Sequence, residues 1–314
     1  MEIQSLSITV PTDKCINNCK FCCSKLHPNN YQRPEKDDEY YHMIADRLLY
    51  ATQKGVDTII LTSANGEPLQ NAEFLAEFAR INKSLPISNQ IINIELQTTG
   101  VLLDNYNLNF LKNCIGVKTI SLSLSSTDSM ENSEICGIKE KFGITDLCHE
   151  IKKAGFNLRL SLNMTNEFDD ILPYDIFNWA HYNKADQITF RKLFSGDDNS
   201  NPINEWIEKN ECSGITLNKI ETYIKHQGTM LEKLSFGSMK YSVKGMSTVI
   251  DDNCMATKNS IDFGKSSGPQ VLNRDWIDQS RVVVPFEEMN IRYYIIREDG
   301  RLYTRWNDKG SLIF

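Results

Sequence analysis

Residues 3–23 read IQSLSITVPTDKCINNCKFCC. The first eight form an apolar, β-branched run that reads as a strand over 3–10. The segment after it is dense in sulfur: four of the chain's nine cysteines fall within nine residues. Cys15, Cys19 and Cys22 are spaced C-x3-C-x2-C, and Cys23 adjoins the third. A loop of this kind holds an active site when its strand belongs to a parallel βα sheet, because such sites gather at strand C-terminal ends.

The rest of the chain supplies that sheet. Strand runs at 57–63, 91–98, 119–125, 157–164 and 187–194 alternate with helical stretches at 38–54, 70–83, 104–113, 145–154 and 170–182. Gly55 and Gly155 stand where helix C-terminal glycines belong. Six strands alternating with helices predict an α/β fold with a parallel sheet. The faces narrow this further, since residues two apart share one. Thr119, Ser121, Ser123 and Ser125 oppose Ile120, Leu122 and Leu124. Arg159, Ser161 and Asn163 oppose Leu158, Leu160 and Leu162; Gln187, Thr189 and Arg191 oppose Ile188 and Phe190. Asn93, Glu95 and Gln97 oppose Ile92, Ile94 and Leu96. A closed eight-strand barrel would fill its centre with aliphatic side chains. One polar face on consecutive strands predicts instead a partial (β/α)6 TIM-like barrel around a wet cavity, with helices on the apolar side.

After about residue 195 the character changes. SGDDNSNPIN, 195–204, reads as a linker and 216–226 as a helix. KYSVKGMSTVI, 240–250, reads as a hairpin turning near Lys244–Gly245, and RYYIIREDGRLYTRW, 292–306, as one turning at Asp299–Gly300. Residues 259–278 read as a long loop. The expected organisation is a domain over 1–195 and a smaller α+β extension with hairpins over 196–314, covering the cavity.

The chain carries 34 Lys and Arg against 41 Asp and Glu, a formal charge of −7. That balance disfavours nucleic acid and anionic membranes as partners. No apolar run is long enough to cross a bilayer, and the N-terminus lacks a signal-like pattern, so a cytoplasmic location is expected. In a reducing compartment, closely spaced cysteines are metal ligands or catalytic groups more often than disulfides. Structural zinc takes four protein ligands, which here would need the adjacent Cys23. A [4Fe–4S] cluster held by three thiolates keeps one iron open to a non-protein ligand.

CINNCKFC after the first strand resembles the signature of the radical S-adenosylmethionine (radical SAM) enzymes. The resemblance implies that Cys15, Cys19 and Cys22 bind a [4Fe–4S] cluster and that SAM chelates the open iron. Reductive cleavage of SAM then yields a 5′-deoxyadenosyl radical that abstracts hydrogen from substrate. Phe21 matches the family's aromatic near the adenine. SANGEPL, 63–69, resembles the family's GGE(P) motif, with Asn65 in place of its first glycine. This implies that Gly66, Glu67 and Pro68 hold the methionine part of SAM. QTTG, 97–100, sits where many members have a turn after the third strand. Residues 120–137 resemble the strand-four region of the molybdopterin-biosynthesis branch, where Ser123 matches a serine touching SAM. Asn163 and Arg191, on the predicted inner face, are candidates for the ribose or the SAM carboxylate. The resemblance covers about residues 1–195.

The polar inner face suits a small polar substrate (nucleotide, sugar or peptide), and the resemblance implies a flavodoxin- or ferredoxin-type electron donor. A glycyl-radical-enzyme activase is an alternative; Ser123-Leu124-Ser125 stands where those proteins usually carry D-x-K. A non-catalytic iron–sulfur sensor or scaffold is another. Glu95 and Arg159 read equally as a buried ion pair or as substrate-reading groups. Cys114, Cys136, Cys148 and Cys212 read as structural thiols, and the role of Cys254 stays open. His27 reads as a loop residue, and Tyr293, Tyr294, Tyr303 and Trp306 as hairpin packing.

Overall fold

The computed structural model of the chain describes residues 5–26, 38–196, 198, 200–233, 239–251, 293–306 and 311–314. His27, Cys254 and the expected loop at 259–278 lie outside these. The strands are β1 (Ser5–Thr9), β2 (Thr58–Thr62), β3 (Asn93–Thr98), β4 (Thr119–Leu124), β5 (Asn157–Asn163), β6 (Gln187–Arg191), β7 (Thr229–Lys233), β8 (Met239–Val243), β9 (Met246–Asp251), β10 (Tyr293–Ile296) and β11 (Leu302–Tyr303). The helices are α1 (Asp38–Gln53), α2 (Ala72–Ser84), α3 (Asn105–Phe110), α4 (Ser129–Cys136), α5 (Ile144–Lys153), α6 (Pro173–Tyr182), α7 (Pro202–Asn210) and α8 (Gly214–Gln227).

Among the described residues the eleven strands form one sheet, in the order β11-β10-β1-β2-β3-β4-β5-β6-β9-β8-β7. β1 to β6 are parallel neighbours in sequence order, the expected βα succession. Among the described residues the sheet is not closed into a barrel, and β11 and β7 are its edges. The later part of the chain adds strands at both ends. β9 pairs parallel with β6, and β10 pairs parallel with β1. Both anticipated hairpins are present, β8–β9 and β10–β11. Lys244 and Gly245 have φ of 50° and 81°, the left-handed pair that a two-residue hairpin turn requires.

The register puts the polar residues on one face. Ser121, Arg159 and Gln187 align across β4, β5 and β6, and so do Ser123, Ser161 and Thr189. The opposite face carries Leu96, Ile120, Leu122, Leu160 and Phe190, all buried, in one core with α1, α2, α5 and α6. α5 shows why such helices form where they do. Asp146 sits in its first turn and Lys152 and Lys153 in its last, each favourable against the helix dipole. Gly155, at φ 83°, turns the chain into β5.

Some elements differ from expectation. The stretch read wholly as linker starts α7, with Asn201 capping and Pro202 at the first helical position. α4 and the exposed strand β7 were not anticipated. Cys136, Cys148 and Cys212 are buried as expected, whereas Cys114 is exposed on the turn that ends the helix after α3. Tyr294 and Tyr303 are buried in the hairpin region.

Candidate cofactor site

Because β1 to β6 are parallel, their C-terminal ends open on one side of the sheet. The cysteine loop leaves β1 there, residues 63–71 leave β2, and residues 99–100 leave β3. Side chains stitch these three segments together. Ser63 Oγ donates to the Val10 carbonyl at 3.0 Å, and Asn71 Nδ2 to the Pro11 carbonyl at 2.7 Å. Gln70 Nε2 donates to the Lys14 carbonyl at 2.9 Å, while its Oε1 accepts from the Ile16 and Glu67 N–H groups at 3.1 and 3.0 Å. Thr12 Oγ1 donates to the Asn65 carbonyl at 3.2 Å. Thr12 fills the space where a Cβ on Gly66 would stand, 1.7 Å from its Oγ1. A glycine is therefore required at 66 for two loops to cross.

Glu67 lies at the centre, only 2 % exposed. Its Oε2 accepts from Thr99 N at 3.0 Å and Thr99 Oγ1 at 2.9 Å. Thr99 Oγ1 in turn accepts from Asn17 Nδ2 of the cysteine loop at 2.7 Å. The other carboxylate oxygen, Oε1, is buried and has no hydrogen-bond partner among the described residues. Burial pushes the Glu67 carboxyl above its ordinary range, with the neighbouring Thr98 and the hydrogen bonds from Thr99 pulling the other way. A buried, half-satisfied carboxylate is costly in isolation and is matched by a cationic donor.

Cys15 feels this charge. Burial raises Cys15 to about 11, opposed by the Asn17 backbone N–H and reinforced by Cys19, Glu67 and Cys22. A hydrogen bond shared with Cys136, then burial, holds the Cys19 thiol well above its usual value. Among the described residues no three His, Cys, Asp or Glu side chains already converge on one point. The loop around Cys19 is docked on the end of α4. Asn18 N donates to the Cys136 carbonyl at 3.2 Å and Lys20 N to the Ile135 carbonyl at 3.0 Å. Phe21 rests against Trp206 of α7, ring centroids 6.1 Å apart.

Ser123, Asn163 and Arg191 lie half-buried on the polar face at the C-terminal ends of β4, β5 and β6, with Asn163 and Arg191 directly in register. Asn163 Nδ2 donates to Ser125 Oγ at 3.3 Å. Pro68 is buried and begins the helical turn after Glu67. Ser121 Oγ and Thr9 Oγ1 are buried without partners among the described residues. Glu95 and Arg159 form an ion pair at 2.7 Å, and Arg159 Nε donates to Gln187 Oε1 at 2.7 Å. Glu95 aligns with Thr119, the first residue of β4, and Arg159 with Gln187, the first of β6. This pair sits toward the N-terminal ends of the strands, away from the loops, and closes the floor of the polar face.

Residues 9–172 match the family model described as the radical SAM superfamily, more than half of the chain. The chain belongs to the radical SAM superfamily. It is accordingly an enzyme whose cofactors are a [4Fe–4S] cluster and S-adenosylmethionine. It is 28% identical over 251 residues to a probable GTP 3′,8-cyclase of Methanococcus aeolicus, covering 78% of this chain and 75% of that one. It is 24% identical over 222 residues to a GTP 3′,8-cyclase of Rhizobium leguminosarum bv. trifolii, covering 70% of this chain and 59% of that one. Among solved structures, Streptococcus suis SuiB bound to precursor peptide SuiA matches with a TM-score of 0.56 at 14% identity, over 96% of this chain and 59% of that chain. The anSMEcpe structure with bound AdoMet and the Cp18Cys peptide matches with a TM-score of 0.57 at 14% identity, over 98% of this chain and 75% of that chain. No helix among the described residues is long and apolar enough to cross a membrane.

The residues present fit the radical SAM cofactors. Three thiols on one loop are the donor set for an iron–sulfur cluster. The unpartnered Glu67 Oε1 beside Cys15 is an acceptor waiting for a cation, and SAM carries an ammonium. Sequence reading named Glu67, the cysteines and the QTTG turn that holds Thr99, but gave no role to Asn17, Gln70, Asn71 or Thr99 itself. Those polar side chains look like ordinary loop residues until the three loops are brought together.

Proposed function

We propose that this radical SAM enzyme acts on a polar substrate, a nucleotide, sugar or peptide, using one cluster held by Cys15, Cys19 and Cys22. The observation that carries this reading is the buried Glu67 carboxylate with one oxygen satisfied by Thr99 and the other open. When bound, the cluster and SAM supply an electron and a 5′-deoxyadenosyl radical. Glu67 Oε1 takes the methionine ammonium of SAM, and Thr99 fixes the carboxylate so that this contact needs no reorganisation. Gly66 and Pro68 hold the turn, and Phe21 packs near the adenine. Ser123, Asn163 and Arg191 meet the ribose and the SAM carboxylate. The polar face of β3 to β6 orients the substrate.

Residues 1–195 act as the cofactor-binding domain and residues 196–314 as a cover that excludes water and oxygen from the reaction. The contact of Trp206 with Phe21 supports that role. A flavodoxin- or ferredoxin-type protein donates the electron.

Similarity to GTP 3′,8-cyclases supports a nucleotide within this class. The region after 195 holds only Cys212 and Cys254, too few for the second cluster that multi-cysteine extensions of molybdopterin-type relatives carry.

The test is anaerobic. The reconstituted, reduced protein is given SAM, alone and with GTP, and 5′-deoxyadenosine is quantified by mass spectrometry beside a Cys19→Ala variant. Deoxyadenosine from the wild type alone is expected, with GTP consumption marking a nucleotide substrate. A full four-iron cluster whose EPR signal does not change on adding SAM, with no deoxyadenosine formed, would overturn the reading.

A further inference from the structure

We propose that Asn17, on the cysteine loop, is a further cofactor-binding residue: its side-chain oxygen accepts a hydrogen bond from the amino group of S-adenosylmethionine, beside the one that Glu67 accepts. This rests on the reading of Glu67 as the acceptor for that amino group.

Asn17 lies between Cys15 and Cys19, and its neighbours are tied down on both sides. Ile16 N donates to Gln70 Oε1 at 3.1 Å, and Asn18 N to the Cys136 carbonyl at 3.2 Å. Ile16 and Asn18 are exposed, whereas Asn17 is 6 % exposed, so its side chain is the one turned inward. There Nδ2 donates to Thr99 Oγ1 at 2.7 Å, and Thr99 Oγ1 donates to Glu67 Oε2 at 2.9 Å. The loops after β1, β2 and β3 thus each give one side chain to a single file. The file ends in an open acceptor on each side. Asn17 Oδ1 and Glu67 Oε1 are both buried, and neither has a hydrogen-bond partner among the described residues.

The order of donors fixes which Asn17 atom is open. Glu67 Oε2 also takes the Thr99 N–H at 3.0 Å, so it is the accepting oxygen and the Thr99 hydroxyl proton points at it. The Thr99 oxygen must then accept from Asn17, and only the amide nitrogen can supply that proton. Oδ1 is left over. Two buried acceptors without donors are each unfavourable and call for a group that only donates. An amino group is of that kind. Protonated, it has three N–H bonds; with its lone pair on a metal it keeps two. Both acceptors can be satisfied in either state. A second contact also fixes direction. One hydrogen bond lets the amino group turn about Glu67, whereas two hold it in one orientation. Because Asn17 sits between two of the cysteines, that orientation is set relative to the loop that holds the cluster. A water molecule also carries two protons and would satisfy the same pair. The two occupants differ in what loss of the Asn17 oxygen does to SAM affinity.

The experiment is equilibrium dialysis of SAM against the cluster-loaded, unreduced protein, so that binding is read without cleavage. Wild type, Asn17→Ala and Asn17→Asp are compared at matched iron content. Asn17→Ala removes both the open acceptor and the donor to Thr99. Asn17→Asp removes the donor and keeps an acceptor. SAM affinity is expected to fall about tenfold in Asn17→Ala, the factor set by one hydrogen bond to a charged group, and to stay within about threefold of wild type in Asn17→Asp. Unchanged affinity in Asn17→Ala overturns the inference and leaves water as the partner of Oδ1. An equal loss in the two variants also overturns it, since Asn17 then acts only through Thr99. Where Asn17→Ala takes up no cluster, Asn17→Asp decides, and a loss of about tenfold there overturns it. A wild type that carries a full cluster and does not bind SAM refutes the Glu67 reading instead, which keeps the two failures apart.

Discussion

Replacing Gly66 with alanine tests whether the loops after β1 and β2 are in contact. The added Cβ would lie 1.7 Å from Thr12 Oγ1, 2.5 Å from its Cβ and 2.8 Å from its Cγ2. Thr12 is 5 % exposed and β-branched, so it has no free direction in which to swing. Its hydroxyl also donates to the Asn65 carbonyl, and any escape breaks that bond. Overpacking of this kind costs about 1–3 kcal/mol, and the lost hydrogen bond about 1 kcal/mol more. The sum, roughly 2–4 kcal/mol, corresponds to a fall in Tm of roughly 3–6 °C for a chain of this length. Urea denaturation of the cofactor-free protein, with a thermal melt beside it, measures both. The decisive control is Gly66→Ala combined with Thr12→Gly, which removes all three clashing atoms. Recovery of part of the loss in that pair, despite the entropy of a new glycine, identifies the clash as the cause. A Gly66→Ala protein within about 0.5 kcal/mol of wild type would refute the crossing, since surface substitutions behave that way.

Glu67→Gln should flatten the pH dependence of cofactor-free stability. Burial raises the Glu67 carboxyl, so its contribution is complete below about pH 4.5 and is lost as pH rises through the folded value. Glutamine has no such transition, and parallel denaturation curves for the two proteins from pH 4.5 to 8 would contradict this. Arg159→Met leaves the Glu95 carboxylate buried beside a thioether. A loss of roughly 2–4 kcal/mol is expected, below the full range for a buried pair because a quarter of the Arg159 side chain is exposed. Adding Glu95→Gln should return part of that loss, and no change in the midpoint of Arg159→Met would show that the floor ion pair contributes nothing. Lys244→Asn should stabilise the β8–β9 hairpin by up to about 1 kcal/mol, because asparagine tolerates φ of 50° better than lysine does. The gain is offset in part by losing the exposed Lys244 contact to Asn178. A lower melting temperature would count against the turn geometry.

The βα succession and the polar face were legible because both are periodic. A strand such as TISLSL shows its two faces in the order of its letters, and the register carries that alternation across β4, β5 and β6. The hairpin turns were legible because Lys244-Gly245 and Asp299-Gly300 are local signals. The flanking positions of β9 and β10 were not. Parallel pairing of β10 with β1 joins segments from opposite ends of the chain, and no local pattern encodes it. α7 was hidden by a turn-rich composition, although Asn201 and Pro202 are its start signals. Cys136 read as one more scattered thiol because α4 is only eight residues long and brings it to Cys19 through backbone contacts. Glu67 could be singled out by resemblance, but its satisfied and unsatisfied oxygens depend on Thr99, which arrives from another loop.

The seat of β1 has a bearing on how the protein is made. Of its two neighbours, β2 comes after one helix, whereas β10 emerges only when most of the chain has been translated. Until then the strand that carries the cysteine loop is a sheet edge, open on one side. Pairings between such distant segments are slow to form and leave edges exposed in the interval. The strand that carries the cysteine loop is thus among the last of the parallel strands to gain both of its neighbours, and the setting of the loop is completed by a segment nearly three hundred residues further along the chain.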